Sequence, residues 1–194
     1  QSSGRAHIGN YLGMLKNAVD LQNTGRYQCY YFIADLHSIT EDFNPKEKLK
    51  QILETTADCL AAGLDPKKSA LFLQSQVPAH SELTWILNTI TPMGELRRMT
   101  QYKEKSDRYG QNVGLFTYPV LMAADILMYG ADVVPVGEDQ IQHLEITRDI
   151  ANAFNAHVGK TFVLPKPLLT AAGRVMALND PMRKMSKSVA GSAI

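Results

Sequence analysis

Cysteine is scarce in this chain. The two present, Cys29 and Cys59, sit among apolar neighbours. Two thiols build neither a disulfide framework nor a four-thiolate metal site, so both are expected to be buried and free, as in a reducing compartment. Charge of one sign is equally scarce, with a formal net charge of +1. No global basic field draws the chain to nucleic acid, and any RNA contact must come from a local patch. Long apolar runs are missing as well. Nothing approaches a membrane span and no basic-then-apolar leader is visible, so no membrane role and a cytoplasmic location are expected. Internal repeats and low-complexity tracts are absent too.

What is present is ordinary for a globular domain: 194 residues, 45% of them apolar and 20% charged. That length can bury one core, with room for a small insertion. The chain opens at Gln1 directly before a motif and stops in a small-residue tail, 189–194, soon after another. It is therefore expected to be an excised piece of a longer protein.

Helical and strand patterns alternate along the sequence. Leu12, Leu15, Val19 and Leu21 recur at helical spacing from Asn10 to about Gln22, and Gly25 ends that run. The apolar, aromatic stretch 29–34 predicts a buried strand. Pro45 opens a predicted helix to about Ala62, with Leu49, Ile52, Leu53, Ala57 and Leu60 inward. A short strand is expected over 70–73, and an amphipathic helix over about 80–90 with Leu83, Ile86 and Leu87 on one face. Residues 94–110 are strongly charged. A helix over 119–129 is apolar on nearly every side except at Asp125. A strand over 133–136 precedes a helix from Gln140 to about Phe154, with Asp139 as its expected N-cap. Beyond Lys160, prolines and Gly173 break the chain into loops and short strands. Alternating helices and doubly buried strands imply an α/β fold with a parallel sheet and helices on both faces.

Several short motifs carry chemistry. His7-Ile8-Gly9-Asn10 stands at a helix start, where free N–H groups and the helix dipole favour phosphate. Gly9 admits close approach, and His7 can donate to phosphate oxygens. Alone, the same four residues are equally a solvated helix-start histidine and a turn glycine. Lys184-Met185-Ser186-Lys187-Ser188 places two lysines and two hydroxyls on one loop, able to wrap a triphosphate and neutralise a departing pyrophosphate. Met185 either packs on a base or anchors the loop. Gly137-Glu138-Asp139-Gln140 lies at a strand-to-helix junction, where ligands of open parallel sheets bind, and it reads equally as a capping turn. Asp125 is the most telling residue. A carboxylate in an apolar helix needs a donor, which is either a core Arg or Tyr or an N–H of the ligand. His37 lines the same pocket or is a satisfied core histidine. His80, His143, Glu145 and His157 show no metal-ligand spacing, are taken as structural, and leave no metal site expected.

Together these strings closely resemble the bacterial tryptophanyl-tRNA synthetases, which are class I aminoacyl-tRNA synthetases. The likeness extends to Ile33-Ala34-Asp35-Leu36-His37, Gln76-Val77-Pro78-Ala79-His80, Met99-Thr100-Gln101-Tyr102-Lys103 and Tyr118 through Asp125. It covers nearly the whole chain up to Ser188. The resemblance implies a Rossmann-like catalytic domain over 1–194, with a mostly helical connecting insertion at about 76–118 and a loop-rich segment 160–194. It implies activation of L-tryptophan with ATP and Mg²⁺ to tryptophanyl-adenylate, then transfer to tRNA(Trp), in a homodimer. Asp125 is then the acceptor for the indole N–H. Met122, Val134 and Val136 flank the indole, with His37 and Gln101 nearby. Tyr118 and Gln140 hold the ammonium and carboxylate. His7, Gly9, Asn10, Gly137 and Asp139 bind ATP, Met185 lies beside it, and Lys105, Lys184, Lys187 and Ser188 contact the phosphates. Of these, His7, Asn10, Lys105, Lys184 and Lys187 are the expected catalytic groups.

The chain also departs from the family. Ser2 stands where proline is usual, the family's first strand is missing, and its helical anticodon-binding domain is not expected here. The four-cysteine cluster of some relatives is lacking, so no iron–sulfur centre is implied. Rival readings are a tyrosyl-tRNA synthetase-like enzyme, a simpler nucleotidyltransferase of the superfamily, and a non-catalytic module that binds ATP or a partner. The long charged stretch and the complete Lys184–Ser188 motif oppose the nucleotidyltransferase.

Overall fold

The computed structural model describes residues 7–99, 112–169, 176–177 and 179–185. They fall into two compact units. The first comprises Gln1–Ala34, Asn44–Leu73 and Thr170–Ile194, and the second comprises Asp35–Phe43 and Gln74–Leu169.

In the first unit the opening helix has three parts: α1 (Ile8–Asn10), a π-helical turn (Tyr11–Leu15) and α2 (Lys16–Asn23). The predicted helix is thus present, with a widened turn that single-period patterning does not reveal. Gly25, at φ +63°, carries the chain away in the left-handed conformation. Strand β1 (Cys29–Ile33) pairs in parallel with β2 (Ser69–Leu73), Cys29 opposite Ser69 and Ile33 opposite Leu73. Helix α3 (Pro45–Ala61) lies between them in sequence, since parallel neighbours need a crossover. Its start is set by Pro45 at the first position and by the Asn44 side chain, which accepts from the Lys46 N–H.

The buried face of α3 differs from the expected one. Leu49, Leu53 and Leu60 are 68%, 61% and 44% exposed, and Ala57 is exposed as well. Ile52 does turn inward as expected, and with Cys59 it packs with Leu15, Ala18, Ile33 and Leu64. The expected stripe and the buried one share Ile52 and are rotated relative to each other, and only the position of the strands decides which neighbours of Ile52 turn inward. Burial, then the charge of Asp58, pushes the Cys59 thiol up, as suits an inert core thiol. Cys29 is also free but only half-buried. Gln22 is buried and both of its polar atoms are bonded: it donates to the Gly63 carbonyl at 3.2 Å and accepts from the Asp65 N–H at 2.8 Å and the Ser69 hydroxyl at 2.6 Å. A buried amide requires such partners. Strands β5 (Met176–Ala177) and β6 (Asp180–Lys184) form an antiparallel pair.

The second unit is built on helices α4 (Ala79–Asn88), α5 (Met93–Arg98), α6 (Val113–Leu127) and α7 (Ile141–Val158). Strand β3 (Val133–Val136) pairs in parallel with β4 (Lys166–Leu169). Helix α6 packs against both α4 and α7, which explains its nearly all-apolar sequence. Leu87, Leu96, Val120, Ala124, Ile146 and Ile150 share one core, to which α4, α5, α6 and α7 all contribute.

Two helix starts and one buried face differ from the sequence patterns. Helix α6 starts six residues before Pro119, because the Asn112 side chain caps it by accepting from the Leu115 N–H at 2.7 Å. Pro119 therefore lies inside the helix, where it removes one backbone bond, and does not mark the start. Ile86 of α4 is 48% exposed, while His80 and Leu87 are fully buried. Helix α7 begins after a 3-10 turn (Glu138–Gln140), and Asp139 does not cap it. Among the described residues no helix is long and apolar enough to cross a membrane.

Candidate functional site

His7 is the N-cap of α1. Its Nδ1 accepts from the Asn10 backbone N–H at 3.2 Å, and the Asn10 side-chain oxygen accepts from the His7 N–H at 3.2 Å. This reciprocal capping box fixes the ring. With Nδ1 accepting, a neutral ring carries its proton on Nε2, which makes that nitrogen a donor. Gly9 lies under this ring. A Cβ there would meet His7 Cε1 and Nδ1 at 2.9 Å and Met185 Sδ at 3.2 Å. The close approach that requires glycine is thus made by the protein's own side chains. Met185 is 6% exposed, so it anchors its segment against the opening helix. Lys184 ends β6, and its side chain lies outside the described residues, as do Gln101, Lys105, Lys187 and Ser188.

In the second unit α6 presents Tyr118, Met122 and Asp125 at helical spacing along one stripe, and Tyr129 follows in the turn after the helix. Asp125 is 5% exposed. Its Oδ2 receives His37 Nε2 at 2.7 Å, and its Oδ1 receives Gln74 Nε2 at 2.7 Å and His80 Nδ1 at 2.6 Å. Among the described residues neither a core arginine nor a tyrosine satisfies the acid, and a ligand N–H is not its only possible donor. Two histidines and an amide do the work. Burial pushes the Asp125 carboxyl up, but the hydrogen bonds from His37 and His80, the charge of His37 and the Gln74 amide outweigh it and hold the group below the usual carboxylate range. Asp125 is therefore ionised at neutral pH.

The segment 35–43 that carries His37 is tied in place from both sides. The Asp35 carboxylate accepts from the Ser75 N–H at 3.0 Å, and the Asn112 amide donates to the Thr40 carbonyl at 3.1 Å. His37 meets the Tyr118 ring edge-on, with centroids 6.2 Å apart at 77°. The Tyr118 hydroxyl is 2.7 Å from His143 Nε2. Met122 is half-buried. Val134 and Val136 share one face of β3, by the alternation of strand side chains. Gln140 is half-buried and donates to Asp139 at 3.3 Å. Gly137 leaves room for Asp139, whose Oδ1 would stand 2.8 Å from a Cβ at that position.

His80 and His143, taken from the sequence as structural, are both buried in the polar network around Asp125 and Tyr118. Gln74, fully buried, was not singled out at all. A signal existed for His80 and His143: each falls on the inward stripe of its helix, and a buried imidazole needs a polar partner. No comparable pattern marks Gln74, which follows a strand in a 3-10 turn. Among the described residues no cluster of three or more His, Cys, Asp or Glu groups is arranged to hold a metal ion. The arrangement provides instead a buried fixed negative charge facing donors, on a helix lined by aromatic and aliphatic side chains.

The whole chain, residues 1–194, matches the family described as tRNA synthetases class I (W and Y). It is 55% identical over 191 residues to a tryptophan–tRNA ligase of Clostridium tetani, covering 97% of this chain and 56% of that protein. A tryptophan–tRNA ligase of Rickettsia bellii is 53% identical over 192 residues, with 97% and 58% covered. Among solved structures, tryptophanyl-tRNA synthetase from Campylobacter jejuni, complexed with ADP and tryptophan, matches with a TM-score of 0.89 at 45% identity, over 97% of this chain and 58% of that one. The Mycoplasma pneumoniae tryptophanyl-tRNA synthetase gives a TM-score of 0.90 at 42% identity, over 99% and 58%. The chain thus spans somewhat more than half the length of these relatives.

Proposed function

Because the chain belongs to the class I tRNA synthetases of the W and Y group, we propose that it activates L-tryptophan with ATP to tryptophanyl-adenylate and passes the amino acid to tRNA(Trp). The observation that carries the choice of amino acid is the ionised, buried Asp125 beside Met122 on an otherwise apolar helix. An indole N–H is a donor that such an acid can accept, and phenylalanine offers none. Rejecting an analogue that leaves a buried acceptor short of its partner is worth roughly 10⁴ in a well-built site. Tyr118, Met122, Val134, Val136, Gln140, His37 and Gln101 complete the tryptophan side of the reading.

For ATP, we assign His7, Gly9 and Asn10, with Lys184, Met185, Lys187 and Ser188, to the phosphates, and Gly137 and Asp139 to the nucleotide sugar. Lys105 joins the phosphate contacts. The tryptophan carboxylate attacks the α-phosphorus and pyrophosphate leaves in line. The protein's work is to align the reactants and to stabilise the charge that builds on phosphate oxygens. The Nε2–H of His7 suits that task. The described residues offer no carboxylate cage for Mg²⁺, so the ion would enter with the ATP phosphates and carry most of its own water. A cytoplasmic homodimer belongs to the same reading.

The test is ATP–pyrophosphate exchange run with tryptophan, tyrosine and phenylalanine in parallel. Exchange driven by tryptophan alone supports the reading. Exchange driven by tyrosine moves the chain to the other arm of its family, and none with any of the three makes it a non-catalytic module.

A further inference from the structure

The two oxygens of Asp125 are held differently. Oδ1 receives Gln74 and His80, both at 0% exposure. Oδ2 receives His37, whose side chain keeps 13% of its exposure. A carboxylate oxygen accepts about two hydrogen bonds. Oδ1 is therefore filled from the core, whereas Oδ2 has one donor among the described residues and lies on the side nearer solvent.

Behind His80 stands Tyr129, its hydroxyl 3.0 Å from His80 Nε2 and its ring centroid 5.6 Å away at 51°. An ionised carboxylate has no proton to give, so His80 Nδ1 carries the hydrogen that Oδ1 accepts. On a neutral ring Nε2 then accepts from the Tyr129 O–H. Tyr129 donates to His80, and His80 donates to Asp125. The tyrosine stands in the turn that follows α6, four residues beyond the aspartate it steadies, while His80 comes from α4. A carboxylate free to turn about its χ2 would present either oxygen. One tied at Oδ1 by two rigid donors presents only Oδ2.

We propose that His80 is a positioning residue for tryptophan selection: held by Tyr129, it pins Oδ1 of Asp125 so that Oδ2 is the oxygen offered to the indole N–H. This inference rests on the reading of Asp125 as the indole acceptor. A histidine that merely fills the core would leave ligand selectivity untouched once the protein is folded.

The experiment measures, by calorimetry on the full chain, the affinities for tryptophan and for its benzothiophene isostere, in which sulfur replaces the indole N–H. The readout is the ratio of the two. His80→Asn keeps an amide N–H where Nδ1 stands, and His80→Leu keeps bulk without a donor. Tyr129→Phe removes only the hydroxyl. We expect His80→Leu to lower the ratio about tenfold or more, consistent with loss of one hydrogen bond to a charged group. His80→Asn should stay within about threefold of the parent, and Tyr129→Phe should fall between them. ATP affinity should be the same in all. A folded His80→Leu protein with the parent ratio overturns the proposal, as does His80→Asn falling as far as His80→Leu. If His80→Leu does not fold, Tyr129→Phe decides: a ratio unchanged from the parent overturns it. A parent protein that binds tryptophan and the isostere equally sinks the Asp125 reading itself, which is a distinct failure.

Discussion

His80 and Asp125, 45 residues apart in sequence, are joined by a 2.6 Å hydrogen bond between a fully buried ring and a buried carboxylate. Gln74 and His37 complete the set, from 51 and 88 residues away. An acid so held cannot be removed cheaply and cannot easily change its charge, and most of the testable consequences follow from that.

Asp125→Ala should abolish the preference for tryptophan over phenylalanine, a loss of roughly 10⁴ where the acceptor is well built. It also orphans three donors, two of them fully buried, at about 1–3 kcal/mol for each buried one that finds no substitute. Pyrophosphate exchange measures the first effect and chemical denaturation the second. A variant that still prefers tryptophan as strongly as the parent would falsify the assignment of this acid.

The pH dependence of stability has a definite sign. In the fold the Asp125 carboxyl lies below its ordinary value. A depressed carboxyl contributes stability that is present above its unfolded value, about 3.9, and is lost as pH falls through the folded value. The advantage of the parent over Asp125→Asn should therefore shrink between pH 5 and pH 3. Melting midpoints across that window check it, and an advantage that grows toward acid would contradict it.

Gly9→Ala should affect ligand binding more than folding. The added methyl meets the His7 ring at 2.9 Å and the Met185 sulfur at 3.2 Å. Both are side-chain atoms that can move, so stability should fall by no more than about 1 kcal/mol. The His7 ring, however, must leave its capping position. ATP affinity measured by calorimetry should drop about tenfold, and parent-like affinity would show that the ring's placement is immaterial.

Asn112→Ala removes two bonds at once, the cap on α6 and the link to the Thr40 carbonyl. Loss of a helix cap costs about 1 kcal/mol. Because the Thr40 link steadies the segment that carries His37, tryptophan affinity should weaken as well. Denaturation together with tryptophan titration tests both effects, and a stability loss with no change in affinity would separate the cap from the site.

Much of this protein was legible before any coordinate. Strands 29–33, 69–73 and 133–136 and the helices from Pro45, about residue 80 and about residue 140 follow from apolar period, proline and glycine. The short motifs around His7, Gly137 and Lys184 identified the family, because their residue types and order are local facts. The burial of Asp125 was legible too, as a charge inside an apolar helix. Illegible were the stripe of α3 that turns inward, the proline placed inside α6, and the partners of the acid. Each depends on what another element brings to the same point in space. Helical period fixes which residues share a face but not which face meets the core. A buried charge announces that it must be paired, and only the packing of α4, the turn at Gln74 and the segment at His37 around α6 selected the donors.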